Sequence, residues 1–144
     1  MKTAIVYYSN HHGNTKKLVE AVAQGRDVAL IDALAVKSTD LSGYELIGFA
    51  SGIYYGKFHQ SVLDFAQNNL PTGKKVFFLS TYGGRNNIKA IEEAVNAKGA
   101  QVVGYFGCKG YDTFGPFKLV GGICKGRPNE TDLKNACDFF DGLR

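Results

Sequence analysis

Three short stretches hold most of the residues able to grip a ligand, and each follows a hydrophobic run. The first, Ser9-Asn10-His11-His12-Gly13-Asn14-Thr15, sits between Ile5-Val6-Tyr7-Tyr8 and a segment with Leu18, Val19 and Val22 at helical spacing. Two hydroxyls, two amides, a glycine and the opening N–H groups of a helix make an uncharged anion nest. It lacks the lysine and the glycine spacing of a nucleoside triphosphatase loop, so it suits a phosphate monoester held by many hydrogen bonds. The second stretch runs from Ser51 to His59 (Ser51-Gly52-Ile53-Tyr54-Tyr55-Gly56-Lys57-Phe58-His59), and the third from Ser80 to Asn87, opening Ser80-Thr81-Tyr82-Gly83-Gly84. Both set tyrosine beside glycine: a flat face for stacking next to backbone that a heteroaromatic edge can approach closely. Together the three describe a slot for a planar ring tethered to a phosphate.

Other chemistries fit these residues less well. A metal site built from His11, His12 and His59 is conceivable, but adjacent histidines rarely both ligate one ion, and no cysteine or carboxylate stands next to them. They read instead as polar loop residues whose ring N–H groups help a phosphate and gain charge at low pH. The first loop has no cysteine nucleophile with an arginine, which argues against a small phosphatase. Ser9, Asn10 and Ser51 stand where a response-regulator receiver needs aspartates, which removes that class as well.

These loops need a frame, and the hydrophobic pattern supplies one. Thr3 to Tyr8, Val28 to Ile31, Leu46 to Ala50, Val76 to Leu79 and Val102 to Phe106 are apolar runs of strand formers, continuous as in strands buried on both faces. Between and after them come helical spacings over Leu18 to Ala23, Phe58 to Ala66, Ile88 to Val95 and Leu133 to Phe140. The connection after Ile31 leaves room for a short crossover helix at most. Strands alternating with helices predict an α/β domain, doubly wound, with helices on both faces of a five-stranded parallel sheet. In such a sheet ligands bind outside the carboxyl ends of the strands, where the three loops fall. Gly107 to Arg127, with six glycines and two phenylalanines, keeps no period and is expected to be an excursion from the last strand.

The chain has 144 residues, enough for one domain over 1–144, and 18 glycines against 3 prolines. Lys+Arg total 17 and Asp+Glu 13, a net charge of +4 spread along the chain without the concentrated stripe that nucleic-acid binding wants. No apolar run is long enough for a membrane span and no signal peptide is evident, so a cytoplasmic location is expected. Three cysteines, Cys108, Cys124 and Cys137, without a C-x-x-C spacing, are expected to be reduced structural thiols.

The stretch Ile5-Val6-Tyr7-Tyr8-Ser9-Asn10-His11-His12-Gly13-Asn14-Thr15 resembles the flavodoxin signature of strand, S/T-x-T-G-x-T and helix. His12 and Asn10 stand where that family usually has hydroxyl residues. Gly52-Ile53-Tyr54-Tyr55-Gly56-Lys57-Phe58-His59 is similar to the second flavin loop of short flavodoxin-like proteins, including the menaquinone-dependent protoporphyrinogen dehydrogenase group, and Thr81-Tyr82-Gly83-Gly84 corresponds to the third. The resemblance implies strand order 2-1-3-4-5 and non-covalent FMN. It places the cofactor on Ser9, Asn10, His11, His12, Gly13, Asn14 and Thr15, on Ser51, Gly52, Ile53, Tyr54, Tyr55 and Gly56, and on Thr81, Tyr82, Gly83 and Gly84, with no catalytic side chain. It further implies a low-potential electron carrier that serves redox partner proteins as a monomer or weak dimer, with a backbone carbonyl near Gly56 turning toward the flavin. The alternative is a flavodoxin-like FMN oxidoreductase acting on a quinone or porphyrinogen. The positive charge favours it, since carrier flavodoxins are usually strongly acidic. A flavin-free interaction domain of the same fold is the third reading.

Overall fold

The computed structural model describes residues 2–9, 13–110 and 126–143. Its elements follow in the order β1 (Thr3–Tyr7), α1 (Asn14–Ala23), β2 (Val28–Asp32), β3 (Leu46–Tyr54), β4 (Lys57–Phe58), α2 (Gln60–Asn69), β5 (Lys75–Tyr82), α3 (Lys89–Asn96), β6 (Gln101–Lys109) and α4 (Glu130–Gly142). Five of the strands pair in parallel in the order β2-β1-β3-β5-β6, which is 2-1-3-4-5 once the two-residue β4 is set aside. The doubly wound arrangement expected from the sequence is therefore present. β4 adds a sixth strand, folded back antiparallel on the end of β3.

Alternation along each strand divides the core in two. Ala4, Val6, Ile47, Phe49, Val76 and Phe78 point to one face, where α2 and α3 cover them with Val62, Phe65, Ala66, Ile91 and Val95. Ile5, Leu46, Ala50, Phe77 and Leu79 point to the other, under Leu18, Val19 and Val22 of α1 and Ala136 and Phe140 of α4. Each such side chain contributes about 1.5–3 kcal/mol when fully withdrawn from water, so both faces are strongly held.

No helix crosses from β2 to β3, within the expected limit of a short one at most; Ala33 and Leu41, both buried, cover that part of the sheet from an irregular connection. Other details correct the expectations. Phe58, expected to open a helix, lies in β4 and is fully buried against Phe78 with ring centroids 6.3 Å apart. β5 and β6 run past Leu79 and Phe106, to Tyr82 and Lys109, so the first residues of the expected Gly107 excursion are strand. Residues 111–125 of that stretch, with Cys124, lie outside the described residues.

Candidate functional site

Register brings the expected loops to one end of the sheet. Ser51 of β3 is level with Ser80 of β5 and Gly107 of β6, and Gly52 is level with Thr81 and Cys108. β1 ends beside them, Tyr8 N–H donating to Ala50 C=O at 3.1 Å. Gly13, at φ +68°, then turns the chain into α1.

The start of α1 carries the nest. Gly13 has no side chain to cap the helix, and the first turn holds no acidic residue. Ser9 Oγ accepts the Lys16 N–H at 3.1 Å, which leaves its own hydrogen free to donate. Asn14 and Thr15 are buried. Thr15 Oγ1 lies 2.9 Å from Thr81 Oγ1, a buried contact that ties the first loop to the third. A side chain at Gly110 would put its Cβ 2.8 Å from Asn14 Nδ2, so backbone there closes tightly on the nest. Gly110 is held in place by its N–H bond to Tyr82 C=O at 2.9 Å. Ser9, Gly13, Asn14, Thr15 and Thr81 thus meet, while Asn10, His11 and His12 lie outside the described residues.

The second loop is a hairpin. Ile53 pairs with Phe58 and Tyr54 with Lys57, leaving Tyr55 and Gly56 as a two-residue turn with φ +51° and +79°. Positive φ at both positions is the type I′ geometry that matches strand twist, and asparagine or glycine adopts it at little cost. Tyrosine does not, yet Tyr55 holds it and projects 88% exposed at the tip. Behind the turn, Ser51 Oγ is buried; it donates to Gly52 C=O at 2.6 Å and accepts the His59 N–H at 2.9 Å.

His59 is a site feature that the sequence reading left out of its binding set. It stacks on Tyr8 with ring centroids 3.6 Å apart and 9° between planes, and meets Tyr54 edge-on at 5.3 Å. It also caps α2, its Nδ1 accepting the Ser61 N–H at 3.1 Å. Nδ1 as acceptor is the neutral ring with its proton on Nε2. Burial lowers the His59 pKa, partly opposed by the Asp64 carboxylate. Tyr8, at a buried strand's end, and a histidine two residues before Ser61 were the available signals.

The third loop adds Tyr82, whose ring carries Lys109 Nζ 4.9 Å from its centroid. Gly83 is buried and Gly84 exposed. Below them Ser80 Oγ donates to Asn86 Oδ1 at 2.9 Å and takes the Tyr105 hydroxyl at 3.1 Å. Burial raises the Tyr105 pKa, which keeps that hydroxyl a neutral donor. Tyr105 stood inside the run Val102 to Phe106 and Asn86 inside the third stretch without a role assigned to either, while Lys109 lies beyond the apolar run that marked the last strand.

The donor set is neutral and hydroxyl-rich at a helix start, with tyrosines on two neighbouring loops, so it fits a phosphorylated aromatic group. A family model for the flavodoxin domain matches residues 5–114, a span that contains all three loops. The chain belongs to the flavodoxin domain family. An uncharacterized protein of Methanocaldococcus jannaschii is 40% identical over 147 residues, covering 99% of this chain and 98% of that one. A flavodoxin from the domain Archaea shares the fold with TM-score 0.63 at 22% identity, over 98% of each chain. The Streptococcus pneumoniae flavodoxin does so with TM-score 0.68 at 18% identity, over 99% of this chain and 97% of its own. Family and fold support a flavodoxin-type flavoprotein. Among the described residues of this flavodoxin-domain chain no helix is long and apolar enough to cross a membrane. No cluster of three potential metal ligands occurs among them either.

Proposed function

We propose that this flavodoxin-domain protein binds FMN without a covalent link and carries electrons between redox partner proteins of the cytoplasm. The observation that carries the reading is the Thr15–Thr81 hydroxyl contact, which joins a helix start without a carboxylate to a tyrosine-bearing loop through buried side chains. In this reading Ser9, Asn10, His11, His12, Gly13, Asn14 and Thr15 receive the phosphate. Ser51, Gly52, Ile53, Tyr54, Tyr55 and Gly56, with Thr81, Tyr82, Gly83 and Gly84, border the ring. FMN when bound supplies the redox chemistry, and the chain tunes it through stacking, backbone hydrogen bonds and charge.

Titration with FMN tests this directly. Flavin fluorescence should quench to a 1:1 end point at micromolar protein, and riboflavin, without the phosphate, should bind far more weakly. Absence of quenching by FMN overturns the reading.

The alternative, an FMN oxidoreductase acting on a quinone or porphyrinogen, is favoured by Lys57 and His59 flanking the hairpin and by the net charge of +4. Reductive titration separates the two: well-separated one-electron waves support the carrier, and direct two-electron reduction with rapid quinone turnover supports the enzyme.

A further inference from the structure

The end of the sheet that bears the site is also where the chain leaves cations to solvent. Lys16 and Lys17 are exposed in the first turn of α1, Lys57 on the hairpin, Arg85 after β5 and Lys89 at the start of α3. All five therefore border the carboxyl ends of the strands, although they come from separate parts of the sequence. None forms an ion pair among the described residues, whose salt bridges are Arg26–Asp141, Arg127–Asp132 and Lys134–Asp138. Of the carboxylates at or near this end, Asp32 accepts the Leu34 N–H, Asp64 the Gln60 amide and Asp132 the Arg127 guanidinium, whereas Glu130 is exposed at the start of α4 and Glu20, Glu92 and Glu93 lie a turn along α1 and α3 from the lysines.

At the opposite end three of the cations are held, while Lys75 is exposed there as the rim residues are, and on the rim Lys57 Nζ donates to Gln60 Oε1 at 3.3 Å. Lys74 donates to the Ser42 and Tyr44 carbonyls at 2.8 Å each, Lys2 lies 5.0 Å from the Tyr44 ring centroid, and Arg26 forks onto Asp141 with two 2.8 Å bonds. The nest does not explain the contrast, since its described donors are uncharged. Tyr55, 88% exposed beside Lys57, adds an aromatic face of the kind that interfaces use as anchors. The cations come from separate elements at one end of the sheet, the start of α1, the hairpin and the segment from β5 to α3, rather than from one basic run, which suits a compact acidic surface better than a nucleic-acid backbone.

We propose that the rim of Lys16, Lys17, Lys57, Arg85 and Lys89 around the exposed Tyr55 is the docking face for an acidic protein partner. The proposal rests on the electron-carrier reading for what passes across the face, and on charge alone for association.

The probe is a plant-type ferredoxin as the acidic protein, with a basic cytochrome c as the opposite charge; association is followed by calorimetry against ionic strength. The FMN-loaded wild type should bind the ferredoxin in low salt, lose at least about tenfold in affinity as salt rises, and not bind the cytochrome. Lys16→Glu/Lys17→Glu and Lys57→Glu/Arg85→Glu should each weaken ferredoxin binding by about tenfold or more. Lys75→Glu/Lys98→Glu, the same charge change at the far end, should leave it within about twofold. FMN quenching by each variant reports its folding and its site. Equal effects of near and far reversals overturn the proposal, as does tighter binding to a DNA oligonucleotide or to phosphatidylserine vesicles at the same ionic strength. Rim-dependent ferredoxin binding by a protein that does not quench FMN sinks the carrier reading and leaves the docking face standing. Quenching without rim-dependent binding does the reverse.

Discussion

α1 and α4 pack side by side on one face of the sheet and start at the same end, yet they begin in opposite ways. α4 opens with Arg127 forked onto Asp132 at 2.6 and 2.7 Å, and with a reciprocal box in which Asn129 and Asp132 satisfy each other's backbone N–H groups. Glu130 and Asp132 put two carboxylates in its first turn. α1 opens on Gly13 in a left-handed conformation, with no carboxylate in its first turn and two lysines there instead. A helix start attracts negative charge, and α4 supplies it from its own side chains. α1 does not. The difference separates a helix end built for stability from one open to an external anion.

Moving a carboxylate from one design into the other gives the largest expected effect. Asn14→Asp is nearly isosteric and sets a negative group in the first turn of α1, where the Gly110 backbone holds the side chain closely. The added charge favours the helix by about 0.3–1 kcal/mol. It also opposes a phosphate across a short distance, where like charges cost several kcal/mol, so the FMN dissociation constant should rise by about a hundredfold or more. A fluorescence titration beside a urea melt reads both quantities. An undiminished affinity removes the nest from the binding site.

The reverse operation is Asp132→Asn, which takes the carboxylate out of the α4 box. Loss of the bidentate partner and of half the box should reduce stability by about 2 kcal/mol at pH 7 while FMN affinity stays within about twofold. The hydrogen bond from Arg127 holds the Asp132 pKa below the usual carboxylate value, chiefly against desolvation. A depressed folded-state pKa means the contribution is complete above the unfolded value near 3.9 and is lost as pH falls through the folded one. Wild type and variant should therefore differ fully at neutral pH and converge in acid. A difference that persists unchanged at pH 2 would point to lost packing in place of lost charge.

The α1 side of this contrast was legible in the sequence, while the box and the two carboxylates that open α4 were not read there. Apolar runs marked the five parallel strands, and the polar run ending at Thr15 marked the nest. What escaped has a common physical origin. Ser80 and Thr81 are buried polar residues whose hydroxyls are paired with Tyr105, Asn86 and Thr15, so β5 continues where hydrophobicity stops. Phe58 shares helical spacing with Val62 and Phe65, but the Tyr55-Gly56 turn sends it back along β3, and period alone does not distinguish the two. The β2–β3 connection needs only Ala33 and Leu41 to cover the sheet, a task too small to leave a helical pattern.

The hairpin sharpens the comparison at smaller scale. Tyr55 has a side chain in backbone that disfavours one, a strain of about 1–2 kcal/mol. Tyr55→Asn gives the Asn-Gly pair suited to this turn and should raise stability by about 0.5–1 kcal/mol. A strain retained at the mouth has its use in the ring face, so the same variant should weaken FMN binding or docking. A gain in stability with both unchanged makes the tyrosine incidental.

α2 starts in a third way, on a cap that titrates. His59 Nδ1 accepts the Ser61 N–H while the ring stacks on Tyr8, and only the neutral ring can do the first of these. Burial lowers its pKa below 6.5 in the folded chain. As pH falls below that value, the unfolded chain takes up the proton before the folded one does, so stability is complete above about 6.5 and declines through the folded pKa. His59→Asn keeps an acceptor for the cap and removes the titration. The wild-type urea midpoint should fall between pH 7.5 and 5.5 by more than that of the variant, and the excess belongs to His59 alone. Identical slopes would mean that the imidazole is charged as readily in the fold as out of it. The Tyr8–His59–Tyr54 cluster would then be too open to form a wall of the site.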